Sequence, residues 1–161
     1  ALLWLLYESL ASMQVIEWDS IPFLFRSTPD NVNLLQNALK KAAWINVKKA
    51  SKHIDEAGHD ATRQDYHEIY EHAKRNQAVL AMQISVLAPD LIIACSDPVM
   101  HALCDMKLLG DGIERDKKWQ VQTTSDMGRV IHVSHPSYFR DWGYTGIFET
   151  AKLILKSFGI A

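Results

Sequence analysis

Three places in the sequence set a chemically capable side chain at the end of an apolar, strand-like run: Asn46 in "WINVKK", Ser96 and Asp97 after "DLIIAC", and His135 after "VIHVS". An asparagine amide offers both an acceptor and donors, which suits reading an amide edge such as that of a pyrimidine base. The same amide also bonds loop backbone at ordinary strand ends, and the spacing is compatible with either role. His135 can donate a hydrogen bond to an anion developing on a leaving group, or move a proton as acid or base. Pro136 fixes the direction of the chain after it, and Ser137 offers a hydroxyl and an amide to a phosphate. As a bare tripeptide, His-Pro-Ser is equally compatible with a histidine packed at a strand end.

Other chemistries are less well served. Ser96, Asp97 and His135 contain the residue types of a hydrolase triad, but no G-x-S-x-G elbow is present, and Ser96 adjoins Asp97 instead of standing on a separate element. The seven histidines form no HExxH arrangement, and His67 and His72 lie five apart, off the spacing of one helical face. His101 and His132 are expected to be structural or solvent-facing. Cys95 and Cys104 are the only cysteines and have no CxxC spacing, so neither structural zinc nor a cysteine-held iron-sulfur cluster is supported. The expectation is a protein with reduced thiols, no metal and no cofactor.

The elements that must position these residues follow from periodicity. Residues 1–12 suit a helix, and "DSIPFLFRSTPDN" follows as a loop. Val32, Leu35, Leu39 and Ala42 recur at helical spacing, with Asp30 as a candidate N-cap. "AAWINVK" reads as a short strand, and the polar, Gly58-containing stretch after it as a loop. Tyr66, Ile69, Tyr70, Ala73, Leu80, Ile84 and Leu87 form one apolar stripe, which predicts a single long helix from about 64 to 88, stopped by Pro89. The unbroken apolar run "DLIIAC" is the pattern of a strand covered on both faces of a parallel sheet.

Ser96 or Asp97 with Pro98 predicts a helix start, and Val99, Ala102, Leu103 and Met106 give that helix an inner face before Gly110. "KWQVQTT" and "RVIHVSH" read as neighbouring strands. Tyr144 or Thr145 opens a last helix with the stripe Ile147, Phe148, Ala151, Ile154 and Leu155, and Gly159 lies past its end. Strands alternating with helices predict an α/β layered fold with a mostly parallel sheet, in which ligands bind beyond the carboxyl ends of the strands.

With 161 residues, 48% of them apolar, the chain suits one domain with a sizeable core. Seventeen Lys and Arg against nineteen Asp and Glu give a formal charge of -2, so any nucleic-acid contact must come from a local patch. The candidate is "KKAAWINVKKASKH", which holds Lys40, Lys41, Lys48, Lys49 and Lys52; a solvated basic face is the plainer account of it. The opening "ALLWLLYESL" lacks the basic flank of a signal peptide and is too short to span a membrane, so it is expected to be a buried helix.

The order of these pieces resembles the uracil-DNA glycosylase superfamily, particularly its less characterised bacterial and phage-type branches. The resemblance rests on "AWINVKK", the segment "DYHEIYEHAKRNQAVLAMQISVLAPDLIIAC", then "VIHVSHPS" and a closing helix, and covers roughly residues 38–157. It implies a three-layer α/β/α sandwich with a short, mostly parallel sheet, and cleavage of the N-glycosidic bond of a base flipped out of DNA. It implies, too, that Asn46 reads the base edge and that His135 stabilises the departing base anion. An aromatic before Asn46, Phe23 or Phe25, would stack on the base. After His-Pro-Ser, Tyr138 or Phe139 would act as the wedge that enters the gap left by the flipped nucleotide.

Two departures stand beside the resemblance. Residues 1–37 contain no glycine, whereas the family carries an early glycine-rich motif that positions the attacking water. Either the chain begins after that motif or the protein has lost it. Tyr138 stands where several relatives have a second proline. The resulting expectation is a single glycosylase-like domain over residues 1–161, monomeric and cytoplasmic, with DNA as partner through Ser137, Tyr138, Phe139, Lys48, Lys49 and Lys52. A catalytically degenerate member that binds nucleic acid, nucleotide or protein is the alternative.

Overall fold

The computed structural model describes residues 2–16, 28–43, 45, 63–124, 128–134 and 144–160. Among them are six helices and three strands, α1 (Leu2–Ser12), α2 (Pro29–Leu39), α3 (Arg63–Arg75), α4 (Gln77–Leu87), β1 (Leu91–Cys95), α5 (Asp97–Asp105), β2 (Val121–Thr123), β3 (Arg129–Val133) and α6 (Tyr144–Ser157). The chain divides into two compact units, one of residues 1–44 with 136–161 and one of residues 45–135.

The first unit is helical, with α1 packed against both α2 and α6. Leu5, Leu6, Ala38, Ala151, Ile154 and Leu155 are buried within it. Helix α2 begins two residues earlier than the expected Asp30 cap: Thr28 is the N-cap, its Oγ1 accepting from the Asn31 amide at 3.3 Å, and Pro29 fills the first helical position. Pro29 suits that position because its missing N–H would have had no partner there. Asp30 is left in the first turn, where its charge meets the helix dipole favourably. At the other end of the unit, α6 stops as Gly159 (φ +78°) turns the chain, with the Ile160 amide donating to the Leu155 carbonyl and the Gly159 amide to that of Lys156, both at 3.0 Å. These two bonds make a Schellman cap.

The second unit holds the sheet, in the order β1-β3-β2. Strand β3 is parallel to β1, with Leu91 opposite Arg129 and Cys95 opposite Val133, and antiparallel to β2. The fold is therefore α/β with a mixed three-stranded sheet. Central β3 is buried at Val130, Ile131, His132 and Val133, whereas β1, despite its unbroken apolar run, is fully buried only at Ala94. The β2–β3 turn contains Gly128 (φ +84°), where an added Cβ would stand 2.7 Å from the Asp90 carbonyl oxygen.

The stretch expected as one helix from 64 to 88 is two helices that meet at Asn76. Asn76 turns its side chain back to the His72 carbonyl at 2.8 Å and takes φ -106°, ψ +17°, outside helical values. A short amide side chain that bonds the preceding turn competes with the backbone ladder. The apolar stripe survives the break: Ala73, Leu80 and Ile84 are buried, though Leu87 is exposed. Ala73 and Leu80 pack with Ala102 and Met106 of α5 and its C-cap, while Ile84, Ala94, Met100, Leu103, Leu109 and Val130 form an adjoining cluster. Ile45 packs against both clusters; of the expected 42–48 strand, Ala42, Ala43 and Ile45 are described and form no strand, and the remainder, with the loop after it up to residue 62, lies outside the described residues.

Candidate functional site

The parallel pair β1–β3 brings two of the three chemically capable strand ends side by side. Cys95 and Val133 are partners in register, and the Ser96 amide donates to the Val133 carbonyl at 2.7 Å, so the pairing continues one residue beyond β1. At that carboxyl edge α5 starts with Asp97 and Pro98, while β3 runs out through Ser134, one residue before His135. His135, Asn46, Phe25, Ser137, Tyr138, Phe139, Lys48, Lys49 and Lys52 themselves lie outside the described residues.

Ser96 is the strained point of this edge. Its φ of +98° and ψ of 154° place it in a region that is essentially glycine's. It occupies the N-cap of α5, yet its hydroxyl makes no capping bond. A residue held in such a conformation persists only where its surroundings over-determine it. Here they are the β1–β3 pairing behind it and the helix start in front.

Asp97 is the centre of a charged cluster that the sequence reading did not assemble. Its Oδ1 lies 2.7 Å from Lys118 Nζ and 3.1 Å from His132 Nε2. Burial pushes the Asp97 carboxyl up, but the Lys118 hydrogen bond and charge, with His132 and His101, outweigh it and hold the group below the usual carboxylate range. His132 is 1% exposed, and its Nδ1 lies 3.0 Å from the Arg115 carbonyl. That carbonyl can only accept, so Nδ1 carries the proton and Nε2 of the neutral ring is a bare lone pair. Nε2 correspondingly makes no aligned hydrogen bond among the described residues, although Asp97 is close enough to pair with a protonated ring. Burial, and the positive charges of Lys118 and His101, push the imidazole below its ordinary value against the opposing pull of Asp97 and the Arg115 carbonyl.

Further out the charges are screened. His101 Nε2 stands 3.7 Å from Asp116, and Arg115 lies 3.7 Å from Asp105 and 3.8 Å from Asp116. Tyr70 donates its hydroxyl to Asp105 at 3.0 Å, and that bond is the main reason its phenol is raised. Burial raises both thiols, Cys95 and Cys104, which leaves them protonated and poor nucleophiles. Among the described residues no three His, Cys, Asp or Glu side chains are grouped to hold a metal ion, and no helix is long and apolar enough to cross a membrane.

Chemically, Asp97 is already committed to Lys118, which weakens its use as the orienting acid of a Ser96 hydrolase. The alternation of β3 was the only sequence signal for His132: it shares a sheet face with Val130, which packs against α5. That Asp97 and Lys118 would be its neighbours depends on the crossover from β1 and on the isolated bridge of Lys118 with His132, neither visible in local pattern. Comparison with protein-family models, with curated proteins and with solved structures finds no match to this chain.

Proposed function

We propose that this protein is a uracil-DNA glycosylase-like enzyme that excises uracil or a related damaged base by hydrolysing the N-glycosidic bond of a flipped nucleotide, on an α/β/α sandwich. The observation that carries the reading is the parallel pairing of β1 with β3, which ends at one carboxyl edge with Val133 opposite Cys95. Ligands of α/β sheets bind beyond that edge, and His135 follows it by two residues. The rest of the support is the order of motifs in the sequence.

In this mechanism His135 donates to the base as the glycosidic bond breaks and negative charge collects on the leaving group. The sugar passes through an oxocarbenium-like state, so help at the leaving group is what the reaction needs, and a preorganised donor in a dry pocket is worth most there. Asn46 reads the amide edge of the base and Phe25 stacks on it. Ser137 holds a phosphate, Tyr138 or Phe139 fills the vacated stack, and Lys48, Lys49 and Lys52 meet neighbouring phosphates.

The test is strand cleavage, after alkaline treatment, of oligonucleotides carrying uracil, hypoxanthine or xanthine, with the wild-type chain, His135→Ala and Asn46→Ala. Base release by the wild type that is lost in both variants is the expected result. The second reading is a degenerate member of the same superfamily that binds nucleic acid, nucleotide or protein without cleaving it. DNA binding without release of any base would replace the enzyme by that binding module.

A further inference from the structure

His132 sits where three elements meet. From α5 it is faced by Asp97 and His101, and from the segment before β2 by Lys118 and the Arg115 carbonyl; β1 sets Ala94 opposite it. The Arg115 guanidinium lies near Asp105 and Asp116. Segment 114–118 is exposed throughout; the Glu114 backbone is held in both directions by the Gln122 amide at 2.8 Å, Arg115 pairs with Asp105 and Asp116 with His101 at 3.7 Å, and three further links pass through His132 or Asp97. They are the contact of His132 Nδ1 with the Arg115 carbonyl at 3.0 Å, the Trp119 amide donating to the His132 carbonyl at 2.9 Å, and the 2.7 Å Lys118–Asp97 ion pair.

We propose that His132 is an acid-operated pin: with a neutral ring it fastens segment 115–119 to β3 and the start of α5, and uptake of a proton at Nε2 releases that segment. The proton comes from water and no bond other than N–H is made. A charged ring in a site only 1% exposed has lost its hydration, and the one carboxylate within reach among the described residues is half-exposed and already shared with Lys118. The least costly way to hydrate the charge is to lift the exposed residues after Glu114, which bury little of their own, while Glu114 stays tied to Gln122 of β2; β3 and the core stay in place.

The sign follows from linkage. The folded protein holds His132 below its ordinary value, so the opened or unfolded chain binds the proton more readily. The pin's contribution is complete above the ordinary histidine value of about 6.5 and is lost as pH falls through the lower, folded value.

The ring of His132 is titrated by NMR in the full chain, and hydrogen exchange of the Trp119 amide, corrected for intrinsic rate, is followed over the same pH range. Trp119 is expected to lose protection as the ring takes up its proton, while the amides of β3 keep theirs. Asp97→Asn removes the counter-charge and should lower the midpoint; Lys118→Gln removes a repelling charge and should raise it. Both side chains are exposed, so the variants are expected to fold. A ring midpoint that neither variant moves, or Trp119 protection unchanged across the titration, would overturn the pin.

Discussion

Two residues in the second unit hold left-handed backbone for opposite reasons. Ser96, at φ +98°, is a side-chain-bearing residue in a conformation suited to glycine, and Gly128, at φ +84°, is a glycine whose neighbour leaves no room for a side chain. Ser96→Gly should therefore relieve strain of about 1–3 kcal/mol, less the extra freedom given to the unfolded chain, for a net gain of about 1 kcal/mol. Gly128→Ala should cost about 1–3 kcal/mol, because the new Cβ meets Asp90 backbone that is itself bonded to the Arg129 amide at 3.1 Å. Urea unfolding of the two variants decides the matter: a destabilised Ser96→Gly would mean that the serine side chain makes a contact worth more than the strain. Neither residue advertises this in sequence. "ACSDP" announces a helix start, but the torsion of Ser96 is set by how β1 feeds α5, and the neighbours of the buried His132 are set by the crossover.

At the scale of elements, periodicity carried far. Helices α1, α5 and α6, strands β1 and β3, and the Gly159 stop all fall where apolar spacing and breakers put them. What it missed were decisions among near-equal options. Asn76 splits a continuous apolar stripe through a side-chain bond that pattern cannot weigh, and Thr28 outcompetes Asp30 for the cap because Pro29 suits the first helical position. The run "DLIIAC" promised a strand buried on both faces, yet burial along it is complete only at Ala94. Helix α4 shows the same limit: it is apolar nearly all round, so its inner face is not legible from composition. Leu80 is 1% exposed within the core and Val86 is 79% exposed. Leu80→Ala is expected to cost about 2–5 kcal/mol, and Val86→Lys to stay within about 0.5 kcal/mol of wild type. Thermal unfolding of both variants would report it; a large loss at Val86 would reveal a partner for this face of α4.

For the whole molecule, the decisive question is how a chain of formal charge -2 would hold DNA. Long-range attraction is not available at that balance, so binding must be local and strongly dependent on the few cations that touch phosphate. If Lys48, Lys49 and Lys52 are those cations, the logarithm of the binding constant should fall against the logarithm of salt with a slope of about -3, since each neutralised phosphate contributes about -0.9. Replacing each lysine in turn by glutamine should flatten the slope by about 0.9 without changing which base is preferred, because phosphate contacts position the protein and carry no base information. Asn46→Ala should do the reverse, erasing base preference at an unchanged slope. Fluorescence anisotropy with a uracil-containing and a matched unmodified duplex, across a salt series, separates the two behaviours. A slope near zero, or one that the three lysines do not alter, would remove the basic segment from any DNA interface and with it the means by which a chain of so little net charge could act as a glycosylase.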